Sequence, residues 1–524
     1  MTGAPITRRG AWTLVATGLG LFMIFLDALI VNVAIPDIQR QFSAGESGLQ
    51  WVVAAYSLTM AMFMMSGGTF GDHYGRRLGY IVGIVVFCLA SVACGLAPSM
   101  AVLIAARGFQ GIGAALVNVA SLALVSATFS DPQARARAIG IWTGIAAVGL
   151  AIGPTLGGVL TENVGWRSIF LLNPVIGIIA VVLTLGFVSE SRDSASRSFD
   201  VPGQLLFITG IGVLTYALIQ GGHDGWLSPV ILGSFAVAAV VLVVFVRYEL
   251  RVSDPMMDVR VFRNRVYDAA IYAAFATLFC VYGAMFIITQ YFQNVRGYSP
   301  EKTGLLLLAM TIPTIILSPL TGRIVAARGA RTPTLIGLAS LTIGIGILAA
   351  SDARLLVVTL VALAFLGTAA GTAVAAATTE AMGSISPERS GMASGILSSQ
   401  RALGSTAGFA IMGSVFAATI SITLPGNLEP HISDGTQRQQ VVDRVVDDAN
   451  PHAIAGLIGP GKPLPKNVAE DDAVLNAAED AFITGIRVAM VVGLLVSTSS
   501  FVVSWLLFPR RRDPTIEQVA LEPG

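Results

Sequence analysis

A single acid interrupts the first long apolar run of this chain: Asp27, within the stretch from Trp12 to Ile35. Drawn as a helix at about 1.5 Å per residue, the run carries Asp27 roughly 22 Å from its start, well inside a hydrocarbon layer. A charge at that depth costs at least about 2.5–3.5 kcal/mol. A carboxyl there pairs, meets water or carries a proton. Binding and releasing a proton is the chemistry this residue type suits. A permanent hydrogen bond to a neighbouring helix is the plainer alternative. Arg107 lies in the fourth apolar run. A guanidinium does not give up its proton in a protein, so Arg107 cannot be the carrier. Its approach to an acid, or departure from it, would couple protonation to conformation; a static clamp on backbone carbonyls is the alternative.

Three further patterns concern movement more than chemistry. Gly149, Gly153 and Gly157 recur every four residues, hence on one helix face; Pro154 among them removes a backbone bond and can kink the helix, and Gly158 follows. The stretch Gly68-Thr69-Phe70-Gly71-Asp72-His73-Tyr74-Gly75-Arg76-Arg77 returns, with glycines and final arginine at the same offset, as Gly322-Arg323-Ile324-Val325-Ala326-Ala327-Arg328-Gly329-Ala330-Arg331. Ala326 replaces Asp72, so only the first copy can act through a carboxylate. Other charges in or near apolar runs (Arg401, Asp268, Glu380 and Arg487) read first as anchors and second as pathway residues.

These residues need an apolar frame to hold them. Charged types make up 12% of the 524 residues, about half the share usual in soluble domains. The expected solvent is lipid. Stretches of about 20 apolar residues can each span a bilayer, and fourteen are present: helices 1–14, near 12–35, 50–71, 78–97, 101–129, 137–161, 168–188, 203–221, 228–247, 267–290, 301–325, 332–351, 354–380, 391–416 and 480–508. Asp72, Arg76 and Arg77 then fall in the loop after helix 2, and Asp131 at the end of helix 4. One set of loops holds Arg8, Arg9, Arg76, Arg77, Arg135, Arg137, Arg247, Arg251, Arg328 and Arg331, among others. The short loops of the opposite set hold only Arg40, Arg167, Arg296, Lys302 and Arg354. The positive-inside rule puts the arginine-rich side, with both termini, in the cytoplasm. Residues 424–479 are polar and proline-rich and fall outside; their one periodic piece, Val441, Val442, Val445 and Val446, is an amphipathic turn or two in what otherwise reads as a surface loop. The first run is too long for a cleavable signal. Met23, Met60, Met64 and Met65 would suit an adaptable cavity, though packing serves most of them as well.

Several classes are excluded. A net charge of +1 does not suit a nucleic-acid binder. Cys88, Cys94 and Cys280 lack metal-ligand spacing, and there is no Walker A run. An enzyme is not expected, nor a cofactor or a metal; an ion gradient must supply the energy.

On the residues quoted, the chain resembles the major facilitator superfamily, in particular its fourteen-helix drug:proton antiporters. Gly68–Arg77 resembles the loop 2–3 signature. Leu103-Ile104-Ala105-Ala106-Arg107-Gly108-Phe109-Gln110-Gly111-Ile112-Gly113 resembles the helix 4 signature, and Gly149–Gly158 the helix 5 signature associated with antiporters. Leu26-Asp27-Ala28-Leu29-Ile30-Val31-Asn32-Val33-Ala34-Ile35-Pro36 resembles the helix 1 signature of the fourteen-helix branch. Trp166-Arg167-Ser168-Ile169-Phe170-Leu171-Leu172-Asn173-Pro174 departs from the family in placing the proline one residue early. The resemblance implies an all-α membrane protein of two six-helix bundles, 1–190 and 265–508, joined by two extra helices in 191–264 and followed by a tail, 509–524. It implies efflux of drugs, antibiotics or lipophilic cations from a bacterial inner membrane by proton antiport. Asp27 and Arg107 would couple the proton, within hydrogen-bond or one-water reach in at least one state. Asp72 would latch the cytoplasmic gate against the amino end of helix 13, with Gly68, Gly75 and Arg77 in the same motif and Asp131 pairing with Arg76. Gly149, Gly153, Pro154, Gly157 and Gly158 would let helix 5 slide against helix 10. Alternatives left open are export of an endogenous lipid or siderophore, nutrient:proton symport, and a non-transporting scaffold.

Overall fold

The computed structural model describes residues 8–508, except 130–131, 193–199, 254, 256, 258, 385–389, 433 and 448–471. Among these residues, fourteen helices are long and apolar enough to cross a membrane. They run Arg8–Phe42, Glu46–Tyr74, Arg76–Gly95, Met100–Thr128, Pro132–Asn163, Ser168–Phe187, Val201–Asp224 and Pro229–Glu249. Helix 9 is Arg265–Gln290 extended by a π turn, Tyr291–Val295; helix 10 is Pro300–Leu306 with Leu308–Arg328. Helices 11 and 12 are Arg331–Ala350 and Leu356–Gly383. Helix 13 is Ser390–Ala407, a π turn Gly408–Met412, and Gly413–Leu428; helix 14 is Asp472–Leu507. Lipid offers backbone groups no partner, so only self-satisfied helices persist there. Starts are capped by Ser99, Asp200, Ser228, Asn264 and Ser299, whose side chains accept from backbone N–H groups of the first turn.

The packing repeats. Helix 1 lies against 4, 5 and 6, helix 3 against 4 and 6, and helix 2 against 4; helix 9 lies against 12, 13 and 14, helix 11 against 12 and 14, and helix 10 against 12. Helix 7 covers the seam between helices 2 and 13. Its Gln204 Nε2 donates to Met62 O at 2.8 Å, and its Leu218 O accepts from Ser414 Oγ at 3.0 Å. Helix 8 packs chiefly on helix 7 and turns Val237, Val240 and Val243 outward.

Two stretches differ from the sequence reading. Gly68–Tyr74 is helical, and helix 2 ends only at Gly75, whose φ of 122° turns the chain into helix 3. The polar Asp72 and His73 look like loop residues but belong to the last turn of a span. The 424–479 segment is also shorter than its composition suggests: helix 13 runs through Pro425 to Leu428, and helix 14 starts at Asp472. Between them Gly435–Asp447 forms an amphipathic helix with Val441, Val442 and Val445 buried, packed on the end of helix 13.

An even number of spans puts both ends of the described chain on one side. On the opposite side the two bundles are bound together. Thr155 Oγ1 donates to Gly304 O at 3.2 Å, Glu301 N to Glu162 Oε2 at 3.0 Å, and Gln293 Nε2 to Val33 O at 2.8 Å. Ser399 Oγ reaches Ala61 O at 3.0 Å near mid-span. Nearer the terminal side helices 2 and 13 still pack together, and a β-carbon at Gly395 would stand 3.5 Å from Met65 Cγ. The molecule is therefore closed at the face opposite its termini.

Candidate functional site: a buried ionic cluster

Helix 1 turns Asp27 inward, where both it and Arg107 of helix 4 are fully buried. Arg107 Nη1 and Asp27 Oδ2 form an ion pair. The other carboxylate oxygen, Oδ1, accepts from Gln110 Nε2 at 2.9 Å and from Asn173 Nδ2 at 2.7 Å. Arg107 also donates through Nε to Val52 O at 3.0 Å and through Nη1 to Gln110 Oε1 at 2.8 Å. Its guanidinium carbon sits 4.4 Å from the ring centre of Tyr56, a cation–π contact that offsets some desolvation. Ser91 Oγ accepts from Gln110 Nε2 at 3.2 Å and Asn173 Nδ2 at 2.9 Å, and donates to Phe170 O at 2.8 Å. One connected cluster thus draws on helices 1, 2, 3, 4 and 6.

This geometry restricts how a proton can arrive. Every group facing the Asp27 oxygens is a donor. Oδ1 already accepts two bonds, so a proton added there would set hydrogen against hydrogen and expel a partner, whereas Oδ2 accepts one and keeps a lone pair. Arg107 Nη2 is buried without a hydrogen-bond partner among the described residues, so a replacement acceptor has a donor waiting.

Helix 5 fixes the backbone of helix 1 around the acid. A β-carbon at Gly149 would stand 2.7 Å from Phe22 O, at Gly153 3.1 Å from Leu26 O, and at Gly157 2.7 Å from Ile30 O. This corrects the expected partner: the glycine row faces helix 1 of its own bundle, not helix 10. Residues at i and i+4 share one face, and that face points into the bundle. Contact with helix 10 falls to neighbours slightly round the helix. A β-carbon at Gly158 would collide with Pro300 O, and one at Gly304 would stand 2.5 Å from Pro154 O.

The repeated motif has matching roles in both bundles. Gly75 and Gly329 take φ values of 122° and 82°. Arg77 Nη2 donates to Leu185 O at 2.8 Å, closing the end of helix 6. Arg331 donates to Phe508 O at 2.6 Å and Trp505 O at 2.8 Å, closing helix 14. Glu190, absent from the sequence reading, caps helix 3: its carboxylate accepts from Arg77 N at 2.9 Å and Leu78 N at 3.3 Å. Arg76 N donates to Ser191 O at 3.0 Å. Gly68 sits near Val119 of helix 4. Asp131, expected beside Arg76, lies outside the described residues, as does the side chain of Asp72. Met23, Met60 and Met64 are buried packing residues.

Sequence reasoning missed Gln110, Asn173, Ser91 and Tyr56 as partners of the acid. Gln110 stood inside the helix 4 signature, and Asn173 beside the displaced proline of helix 6. Each is polar in the middle of an apolar span, where a side chain needs a partner; that signal was available.

Comparisons with known proteins agree with this architecture. The chain is 50% identical to the multidrug resistance protein Stp of Mycobacterium tuberculosis (strain CDC 1551 / Oshkosh), over 96% of this chain and 93% of that protein. It is 40% identical to the drug efflux pump JefA of the same strain, over 96% and 99%. The crystal structure of a bacterial homolog to the human lysosomal transporter Spinster, inward-facing and unoccupied, shares the fold with a TM-score of 0.61 at 14% identity, covering 97% of this chain and 99% of that one. Residues 17–409 match the model of the Major Facilitator Superfamily, and the chain belongs to that family of membrane transporters.

Proposed function

We propose that this transporter exports small organic molecules across a bacterial inner membrane in exchange for protons, with Asp27 as the proton carrier and Arg107 as the group that registers its charge. The observation that carries the reading is the fully buried Asp27, held by three donors on helices 4 and 6. A structural ion pair needs no such link to moving helices; a carrier does. The named resistance and efflux proteins at 50% and 40% identity support the outward direction and drug-like cargo.

With the arginine-rich termini in the cytoplasm, the closed face is extracellular. In the proposed cycle, cargo enters from the cytoplasm, the bundles rock, and protonation of Asp27 from outside releases helix 1 from helices 4 and 6. Helix 5 transmits that shift, since its glycines grip helix 1 while Pro154 and Gly158 touch helix 10. Gly68, Asp72, Gly75, Arg76, Arg77 and Asp131 form the cytoplasmic latch of the outward-facing state. One charge across 100 mV is worth about 2.3 kcal/mol, and about 1.4 kcal/mol is a tenfold gradient. One proton thus sustains an export gradient of about forty- to fiftyfold.

The test is Asp27→Asn in proteoliposomes with an imposed pH gradient. The export gradient it sustains should fall about forty- to fiftyfold, the scale of losing one proton's driving force, while exchange of labelled for unlabelled cargo continues. Full gradient-driven export by the variant would sink the proposal.

A further inference from the structure

Helix 7 belongs to neither bundle, yet it is bonded to one near its first turn and to the other near its last. At its cytoplasmic start Gln204 commits both ends of its amide to helix 2: Nε2 donates to Met62 O at 2.8 Å and Oε1 accepts from Ser66 Oγ. Asp200 fixes the same end, accepting from Gly203 N at 2.9 Å and from Tyr248 Oη of helix 8 at 3.0 Å. Toward the other end, Leu218 and Ile219 pack with Trp51 and Ala54 of helix 2 and with Ala410 of helix 13. Among the described residues, the hydrogen bonds from helix 7 to the second bundle all come from one hydroxyl here. Ser414 Oγ of helix 13 lies 3.0 Å from Leu218 O, 3.3 Å from Ile219 O and 3.4 Å from Gln50 Oε1 of helix 2.

A hydroxyl has one hydrogen, so these three acceptors compete for it. Losing all three leaves no orphan donor, because a serine in a helix can turn to the carbonyl four residues back. Here that is Ala410 O, and Thr419 already bonds Val415 O in this way at 2.7 Å. Gln204 would have two bonds to replace at once. The outer attachment is therefore the weaker of the two. Helix 13 also changes its winding directly before Ser414, in the π turn Gly408–Met412, a feature frequent at functional sites. The bundles meet closely at this level: a β-carbon at Gly413 would stand 2.7 Å from Gln50 Nε2. We propose that helix 7 is a strap laid across the seam between helices 2 and 13. It travels with the first bundle, and its bond to Ser414 is the releasable contact that breaks when the two helices part at the outer face. The proposal rests on the exporter reading only for the rocking of the bundles.

The outer face can be forced apart without cargo or a proton gradient. A β-carbon alone at Gly158 would stand 2.4 Å from Pro300 O, and one at Gly304 2.5 Å from Pro154 O. Gly158→Trp therefore wedges helix 5 from helix 10, and Gly304→Trp serves where the first variant does not elute as a single species. Three cysteine pairs are then bridged in the detergent-solubilised full chain with a short bis-methanethiosulfonate, and the linked peptides are counted by mass spectrometry. The pairs are Ser66→Cys with Gln204→Cys, Leu218→Cys with Ser414→Cys, and Gln50→Cys with Ser414→Cys; single-cysteine variants set the background from Cys88, Cys94 and Cys280. The wedge should slow both Ser414 pairs at least about tenfold, as effective concentration falls when two groups separate, and leave the Ser66–Gln204 pair unchanged. A Leu218–Ser414 pair that links at its unwedged rate while Gln50–Ser414 slows would put helix 7 with the second bundle and overturn the strap. A slowed Ser66–Gln204 pair would overturn it too. Unslowed linking at all three would mean that the outer seam does not part, and would overturn the strap and the rocking cycle together. Export indifferent to the pH gradient would sink the proton reading instead, and leaves these rates to judge the strap by themselves.

Discussion

The two bundles place their helices alike and fill them differently. By the offset that carries Gly75 onto Gly329, Asp27 of helix 1 corresponds to Val281 of helix 9, next to Tyr282. Helix 4 directs Arg107 and Gln110 into the first bundle; helix 12 directs Leu363, Leu366, Ala369 and Ala373 into the second, all fully buried. Side chains around a buried ion pair join five helices in one bundle, whereas helix 12 offers only aliphatic side chains at these positions of the other. Hydrogen-bonded ions have two protonation states and so two preferred arrangements. An apolar core has one. On the proposed reading, the first bundle changes state when a proton arrives, while the second offers a steady wall.

That contrast can be broken at four points. The largest effect should come from Arg107→Leu, which leaves Asp27 buried and unpaired at a cost of about 3–5 kcal/mol. Folded protein recovered from the membrane should fall sharply by fluorescence-detected size exclusion. Adding Asp27→Asn should restore the amount of protein without restoring gradient-driven transport. In the second bundle Leu363→Met should cost less than about 1.5 kcal/mol; an equal loss there would mean the two interiors are not different in kind. Asn173→Leu comes next. It removes one donor to the carboxylate, about 1.5–3 kcal/mol, and should cut proton-driven transport at least about tenfold with the fold retained. An unchanged rate would remove helix 6 from the coupling.

Gly157→Val tests transmission between helices 5 and 1. Overpacking against Ile30 should cost about 1–3 kcal/mol and stop turnover, whereas Gly322→Ala, in open space inside helix 10, should raise thermal stability by up to about 1 kcal/mol. The smallest effect belongs to the feature the bundles share. Arg77→Ala and Arg331→Ala should each cost only about 0.3–1 kcal/mol, the worth of a cation at a helix end. Similar midpoint shifts for the two would support equivalent roles. A much larger loss at Arg77 alone would point to a duty beyond capping, such as the latch.

Much of the fold was legible because lipid leaves few choices. Twenty apolar residues in a row must cross as a helix, so the fourteen spans followed from counting, and the internal repeat followed from Gly75, Gly329, Arg77 and Arg331. The span ends were less legible. Gly68–Tyr74 and Leu424–Leu428 are helical although polar or proline-bearing, because a helix does not stop where the oil stops. In the site, Asp27 and Arg107 could be named on type and depth alone.

The amino-acid sequence by itself determined which residues are too costly to be accidental: an acid in helix 1 and an arginine in helix 4. Their energetic penalty depends on depth in the membrane, and depth is counted along the chain. Tertiary structure alone decided their company. It gave Asp27 the donors Gln110 and Asn173 and turned the glycine row of helix 5 onto helix 1. Which side chains meet depends on how each helix is rotated about its axis. That rotation is set by the packing of all its neighbours together, so no single stretch of sequence records it.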